Sequence, residues 1–245
     1  DWNVTARMQS PYVREHQEDR EISAWFLLDL SGSMDFGSGN ISKRQMMMQF
    51  VGVMAKLLMK RGNRIGALLL NPAETDGFQC IPPRMGRRHL LHLLHVLETS
   101  PNTQQTHQTN LNEWLARANG LIKRRSSVFV VSDFMGQFNW ASELSALGRR
   151  HDTVATRLFD PAEMNLPKAG LMLLQDSETS EQLLLDTANT KFRHRYAQLV
   201  EEREMQLATC FAQAGVDALE LSTNEDMANA LMRFSELRKR RVWRA

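Results

Sequence analysis

Two aspartates that end apolar stretches are the residues of this sequence best suited to chemistry. Asp29 ends one apolar run and is followed by Ser31 and Ser33, and Asp133 ends a second run. In an extended loop alternate side chains point the same way, so Asp29, Ser31 and Ser33 would direct three oxygens at one point. Hard divalent cations such as Mg²⁺ choose oxygen ligands and keep several waters. Because the set holds no histidine or thiolate, the pattern indicates a hard cation and argues against zinc.

The charge of this ligand set indicates a binding function. Two carboxylates cancel the charge of a 2+ ion, whereas neutral hydroxyls leave the ion electrophilic and able to accept one more oxygen. A carboxylate from another molecule is the natural ligand for that position. The pattern therefore predicts a site that binds a partner through a metal.

The elements that would position these side chains alternate between strand and helix. Hydrophobic periodicity predicts strands at 24–30, 64–71, 78–82, 127–134, 153–159 and 216–221, and helices at 41–61, 88–98, 111–122, 140–150, 190–214 and 225–240. Two short apolar runs predict an inserted β-hairpin near 171–187. The alternation predicts an α/β fold, a doubly wound, mostly parallel sheet with helices on both faces. Ligands bind beyond the carboxyl ends of such strands, where the strand order reverses, so Asp29 and Asp133 are expected to face one crevice.

Composition limits the class of protein. The chain has 245 residues, of which 42% are hydrophobic and 24% charged, which suits a single domain with a substantial core. No apolar run approaches the eighteen or so residues of a membrane span, so we expect a chain without one. Cys80 and Cys210 lack C-x-x-C spacing, which favours a reducing, cytoplasmic location.

A basic C-terminal tail raises the alternative of nucleic-acid binding. The formal net charge is only +2, but basic side chains cluster with Trp243 at Arg238, Lys239, Arg240, Arg241 and Arg244. Such a cluster could contact phosphates, yet cations also compensate the negative end of a helix dipole. We therefore expect a solvated tail and do not expect nucleic acid as the partner.

The D-x-S-x-S motif after an apolar strand resembles the metal-ion-dependent adhesion site of von Willebrand factor type A domains. More narrowly, the chain resembles the bacterial domain of unknown function 58 family. The segments that carry this resemblance extend along nearly the whole chain, at 13–15, 25–36, 43–44, 61–66, 86–91, 130–134, 150–152 and 214–217. The resemblance implies a von Willebrand factor A-like fold, with a domain at 24–245 preceded by an N-terminal segment at 1–23. It also implies a preceding region, which in some relatives carries membrane helices.

The resemblance assigns the metal ligands residue by residue. They are Asp29, Ser31, Ser33, Thr109 and Asp133. Thr109 precedes Asn110 and matches the Thr-Asp-Leu position of the family, although Asn110 replaces the usual aspartate. Thr103 and Thr106 are the alternatives, and Thr109 also suits the N-cap of the helix that follows.

The resemblance further implies a metal-dependent protein-binding module. Such a module would capture an Asp or Glu of a protein partner through Mg²⁺, or through Mn²⁺ or Ca²⁺. Relatives of this kind act as adaptors or co-chaperones beside MoxR-type AAA+ ATPases, and the chain itself lacks a G-x-x-x-x-G-K-[ST] phosphate loop. A Mg²⁺-dependent hydrolase is the alternative, but no general base or nucleophile constellation is recognisable. We expect Asp29→Ala or Asp133→Ala to weaken metal and partner binding while leaving the fold largely intact.

Overall fold

The computed structural model describes residues 23–71, 74–101, 110–166, 168–175 and 182–242. Apart from Ser23, the predicted N-terminal segment lies outside these residues. The three threonines considered as metal ligands, Thr103, Thr106 and Thr109, also lie outside them.

The strands and helices follow the predicted alternation closely. The strands are β1 (Ser23–Asp29), β2 (Arg64–Leu70), β3 (Phe78–Arg84), β4 (Ser127–Ser132), β5 (Asp152–Phe159), β6 (Leu171–Gln175), β7 (Gln182–Asp186) and β8 (Asp217–Ser222). The helices are α1 (Lys43–Lys60), α2 (Arg87–Thr99), α3 (Leu111–Leu121), α4 (Ala141–Arg150), α5 (Pro161–Met164), α6 (Thr190–Ala214) and α7 (Met227–Val242). A 3₁₀ turn at Gly32–Asp35 and the short α5 are elements that the periodicity did not predict.

Six strands form one sheet with the order β3-β2-β1-β4-β5-β8. Strand β3 runs antiparallel to β2, and every other neighbouring pair in this sheet is parallel. The chain leaves β1 toward β2 and β3 and later returns to the other side of β1 as β4. This confirms the predicted α/β fold, and it places the reversal of strand order between β1 and β4.

Alternate residues of β1 enter two separate cores, one on each face of the sheet. Phe26 and Leu28 pack with the apolar side chains of α1, α2 and α7. Trp25 and Leu27 pack with those of α3, α4 and α6. Because successive side chains of a strand point to opposite faces, a continuous apolar run is required where helices cover both. The two layers of helices therefore fix the carboxyl end of β1 from both sides.

Two strand ends and the loop after Ser31 differ from the sequence prediction. Strand β3 continues through Pro82 and Pro83 to Arg84, which an edge strand tolerates because prolines cost it few ladder hydrogen bonds. Strand β4 ends at Ser132, one residue before Asp133. The segment after Ser31 is a 3₁₀ turn rather than an extended loop.

The hairpin is separate from this six-stranded sheet, whereas Arg238 of the basic tail contacts two of its strands. Strands β6 and β7 pair antiparallel as a separate two-stranded sheet, as predicted. In α7, Arg238 pairs with Asp152 and Asp217, so at least this basic residue is used within the fold. Among the described residues, no helix combines the length and the apolar character that crossing a bilayer requires.

Candidate metal centre

Asp29 lies at the reversal of strand order, where β1 ends beside β4. Its carboxylate is buried and accepts the backbone N–H of Ser31 on Oδ1 at 2.9 Å. The hydroxyl of Ser132 donates to Oδ2 at 2.7 Å. Ser132 is the last residue of β4, so these bonds fasten the ends of the two central strands to each other. The carboxylate is thereby held in one orientation at the crevice.

The two serines of the D-x-S-x-S motif meet just after the carboxyl end of β1. Their hydroxyl oxygens lie 3.1 Å apart. Ser31 keeps an extended backbone, and the chain then turns because Met34 N–H donates to the carbonyl of Ser31 at 3.1 Å and the Met34 side chain enters the core. The 3₁₀ turn, rather than the extended loop we expected, therefore brings Ser31 and Ser33 together.

Asp133 joins this group from β4. Its Oδ1 accepts the backbone N–H of Met135 at 3.0 Å, and the Ser33 side chain lies near enough to help lower the pKa of its carboxyl group. The structure thus brings together Asp29, Ser31, Ser33 and Asp133, the four predicted site residues that it describes.

Phe134 fixes the backbone immediately after Asp133. It has a φ of 52°, in the left-handed region that a bulky residue rarely adopts. Its ring is buried between Trp140 and Phe211, with ring centroids 5.0 Å away in each case. Its N–H donates to the Ser132 hydroxyl at 2.9 Å. These contacts hold the unusual turn that aims the Asp133 carboxylate into the crevice.

A buried lysine, which the sequence analysis did not assign to the site, completes it. Lys43 is fully buried, and its Nζ donates to Oδ2 of Asp133 at 2.7 Å and to Oε1 of Glu163 at 2.6 Å. Lys43 begins α1, whose N-terminus is fixed by a capping box between Ser42 and Gln45. Glu163 lies in α5, just after the carboxyl end of β5. The carboxyl ends of three neighbouring strands, β1, β4 and β5, therefore contribute to one charged cluster.

The pKa values of the two aspartates are shifted in opposite directions. Burial, together with the charge of Asp133, raises the pKa of Asp29 to about 6. Burial alone would also raise the pKa of Asp133, but the ammonium of Lys43 and its hydrogen bond hold that pKa below the usual range. Burial opposes the charge on Lys43, yet Asp133 and Glu163 keep its pKa above the ordinary value. Of these two aspartates, Asp29 is therefore the one whose charge is less compensated by its surroundings.

The donor set fits a hard divalent cation. Ser31 and Ser33 offer adjacent neutral oxygens, and Asp29 and Asp133 offer carboxylates whose mutual repulsion a cation would relieve. Within the described residues, no group of three or more His, Cys, Asp or Glu side chains is placed to hold a metal. A metal here would depend on the serine hydroxyls, and these would suit Mg²⁺, Mn²⁺ or Ca²⁺ better than zinc.

Asn110, the residue after Thr109, caps the helix that follows, although Thr109 itself lies outside the described residues. The side chain of Asn110 accepts the backbone N–H of Glu113 at 3.2 Å, so Asn110 is the N-cap of α3. The N-cap role that we considered for Thr109 is therefore taken by its neighbour. Its metal role stays a prediction.

Comparison with known proteins assigns the chain to a family. The family model described as "Protein of unknown function DUF58" matches residues 1–206. The chain belongs to the DUF58 family. An uncharacterized protein of Mycobacterium tuberculosis is 31% identical over 242 residues, which covers 98% of this DUF58 chain and 74% of the relative. An uncharacterized protein of Mycobacterium avium is 30% identical over 118 residues, covering 48% of this chain and 69% of the relative.

Solved structures share the fold of this DUF58 chain at low sequence identity. BatB of Bacteroides thetaiotaomicron superposes with a TM-score of 0.56 at 12% identity, covering 89% of this chain and 98% of that one. An aerotolerance-related membrane protein of Bacteroides fragilis gives a TM-score of 0.55 at 10% identity, covering 86% of this chain and 95% of that one. A von Willebrand factor type A structure from Catenulispora acidiphila is also among the neighbours, with a TM-score of 0.40 at 12% identity, covering 57% of this chain and 33% of that one. The family inferred from the sequence is confirmed by the family model, and the α/β fold is confirmed by the sheet order and by the two Bacteroides structures.

Sequence reasoning missed three residues of the site in this DUF58 chain. Lys43 was noted only as part of the family resemblance, and Ser132 and Glu163 were not singled out. A lysine at the first position of a helix with an apolar face gives no sign that it is buried. The signal for Ser132 was available, because it immediately precedes Asp133 in a strand predicted to lie beside β1.

Proposed function

We propose that Asp29, Ser31, Ser33 and Asp133, with Thr109 as the expected fifth ligand, hold a divalent cation through which the protein captures a carboxylate of a protein partner. The observation that carries this proposal is the 3.1 Å approach of the Ser31 and Ser33 hydroxyls beside two buried aspartates. When bound, the cation supplies an electrophilic position for an outside carboxylate oxygen. Mg²⁺ is the first choice, and Mn²⁺ and Ca²⁺ are the alternatives.

The contacts of the two carboxylates support binding rather than catalysis. Both oxygens of Asp29 accept hydrogen bonds, from Ser31 and Ser132, and both oxygens of Asp133 accept them, from Met135 and Lys43. A general base needs a carboxylate free to reach a substrate proton. Carboxylates held in this way serve better as fixed charges that bind a cation directly or through water.

The surface around the site supports a protein as the partner. Phe36, which follows the 3₁₀ turn, is 41% exposed, and Met135, which follows Asp133, is 38% exposed. Each is tied to the site by its backbone, since Phe36 N–H donates to the carbonyl of Ser33 and Met135 N–H donates to Asp133. Exposed aromatic and methionine side chains beside a polar centre are typical of protein interfaces. A partner would place its carboxylate at the cation and apolar groups against this rim.

The wider role that we propose follows from the family resemblance. The resemblance implies that such proteins act beside MoxR-type AAA+ ATPases, so we propose that this chain is an adaptor or co-chaperone of such an ATPase. Its cytoplasmic location stays a prediction.

Affinity capture tests the proposal. Immobilised protein is incubated with cell extract in Mg²⁺ or in EDTA, and captured proteins are identified by mass spectrometry. We expect partners, among them a MoxR-type ATPase, that are retained in Mg²⁺, released by EDTA and absent with Asp29→Ala. Asp76→Ala is the matched control, because Asp76 is an exposed aspartate. Capture that is indifferent to EDTA and to Asp29→Ala would contradict the proposal.

A further inference from the structure

The ammonium of Lys43 already acts as a cation within the candidate metal centre. It is fully buried and lies between Asp133 and Glu163, at 2.7 and 2.6 Å from their carboxylate oxygens. A charge removed from water is tolerated only when it is paired and hydrogen-bonded. Lys43 therefore depends on these two carboxylates, and Asp133 is also one of the proposed metal ligands.

The charges of the cluster leave room for a divalent cation. With all groups ionised, the three carboxylates of Asp29, Asp133 and Glu163 and the one ammonium of Lys43 sum to −2. Arg44, which follows Lys43 in the chain, pairs with Asp35 at 2.6 Å, so this pair adds no net charge. A divalent cation would bring the cluster to neutrality, but it would share Asp133 with a positive charge that is already there.

Glu163 is placed to retain the ammonium if Asp133 turns toward a metal. Its Oε2 accepts the backbone N–H of Asp160 at 3.0 Å, and its own carbonyl accepts the Tyr196 hydroxyl at 2.7 Å. These contacts fix Glu163 independently of Asp133. Among the described residues the lysine thus has two carboxylate partners, and Asp133 is the one that belongs to the proposed ligand set.

From this geometry we propose that Lys43 is an internal counter-cation that competes with the divalent cation for Asp133, and that Glu163 is the second partner that holds Lys43 when the metal is bound. This inference rests on the proposed metal-binding function and adds its regulation. Lys43 lowers the affinity of the site for metal, and Glu163 raises it by drawing the ammonium away from Asp133.

The two residues therefore have opposite predicted effects, which calorimetric titration with Mg²⁺ can measure. Removing the positive charge with Lys43→Met should tighten Mg²⁺ binding by about tenfold or more, because like charges repel strongly at a poorly solvated site. Removing the second carboxylate with Glu163→Gln should weaken Mg²⁺ binding severalfold. Lys56→Met, an exposed lysine of the same helix, and Glu202→Gln, an exposed glutamate, are the matched controls and should leave affinity unchanged.

A second variant and a second measurement distinguish a change in metal binding from a loss of folding. Lys43→Gln removes the charge but keeps a hydrogen-bond donor, and it should also tighten Mg²⁺ binding. In thermal denaturation, both Lys43 variants should melt below the wild type in EDTA and gain more than the wild type when Mg²⁺ is added.

The outcomes separate this inference from the proposed function. If the wild type binds Mg²⁺ and neither Lys43→Met nor Lys43→Gln binds it more tightly, the inference is overturned but the proposed function is not. Binding by the Lys43 variants but not by the wild type would support the internal counter-cation and contradict metal binding by the natural protein. Failure of the wild type and the variants alike would contradict both.

Discussion

The hydroxyl of Ser132 lies 2.7 Å from Oδ2 of Asp29 and thereby joins the ends of the two central strands. The same Ser132 oxygen accepts the N–H of Phe134 at 2.9 Å, at the residue with the positive φ. One side chain therefore orients the first aspartate and supports the turn that presents the second. The geometry of the site depends on this serine, although it is not a proposed ligand.

Replacing Ser132 should damage both stability and metal binding. Ser132→Ala leaves buried hydrogen-bonding groups unsatisfied, so we expect the free energy of unfolding to fall by about 1–3 kcal/mol. Mg²⁺ affinity should fall with it because Asp29 loses its fixed orientation. Urea denaturation and calorimetry measure the two effects, with Ser127→Ala at the start of β4 as the control. A Ser132→Ala protein with wild-type stability would contradict this role.

The pH dependence of stability should reveal the burial of Asp29. Its pKa is about 6 in the folded protein against an ordinary value of 3.8. Below pH 3.8 the carboxyl is protonated in both the folded and unfolded states, so the shift costs nothing there. As the pH rises from 3.8 through 6, the unfolded chain releases this proton first, and the free energy of unfolding falls by about 3 kcal/mol in total.

The isosteric variant Asp29→Asn isolates this contribution. It should remove the loss of stability between pH 4 and pH 7 that the wild type suffers in EDTA. The measurement is the difference between the two proteins in urea denaturation across that range, since all other titrating groups are shared. Parallel curves for the two proteins would show that Asp29 titrates normally.

Asp133 should matter more for stability than Asp29 does, which revises the expectation drawn from the sequence. The sequence analysis predicted that replacing either aspartate would leave the fold largely intact. In the structure Asp133 pairs with the fully buried Lys43, which would keep only Glu163 as a carboxylate partner after the replacement, so the cost should be part of the about 3–5 kcal/mol of an unpaired buried charge. Asp133→Asn should therefore lower the melting temperature in EDTA, whereas Asp76→Asn should not. If Asp133→Asn melts like the wild type, the buried pair does not stabilise the fold.

The apolar rim should contribute to partner binding without affecting metal binding. Phe36→Ser removes an exposed ring beside the site, and truncation of a residue that anchors an interface costs more than about 1 kcal/mol, or about fivefold in affinity. Capture of the Mg²⁺-dependent partner should fall by that factor while calorimetric Mg²⁺ affinity is unchanged. Leu57→Ser replaces an apolar residue that is also exposed but lies near the far end of α1, and it is the control. Unchanged capture by Phe36→Ser would place the interface elsewhere.

The fold was predictable because its signals are local and repeated. Continuous apolar runs such as those ending at Asp29 and Asp133 imply strands buried on both faces, and the intervening helical periodicity implies parallel crossovers. The meeting of the two aspartates followed from a general rule about such sheets. The positions of Asp29, Ser31, Ser33 and Asp133 were thus accessible from sequence alone.

The rest of the site depends on contacts between distant parts of the chain. Lys43 lies 90 residues from Asp133 and 120 from Glu163, and nothing near it in sequence indicates that its ammonium is buried. The 3₁₀ turn after Ser31 was missed because it depends on burial of Met34 rather than on a repeating pattern. Tertiary packing decides both features, so short-range periodicity could not predict them.

Titration of Mg²⁺ into chelator-treated protein tests the central claim most directly. The wild type should bind one Mg²⁺ per chain, and the double variant Ser31→Ala/Ser33→Ala should bind at least about tenfold more weakly because the adjacent hydroxyls are gone. Circular dichroism should show both proteins folded. A wild type that takes up no Mg²⁺, or a folded double variant that binds it equally well, would contradict a metal held by these serines.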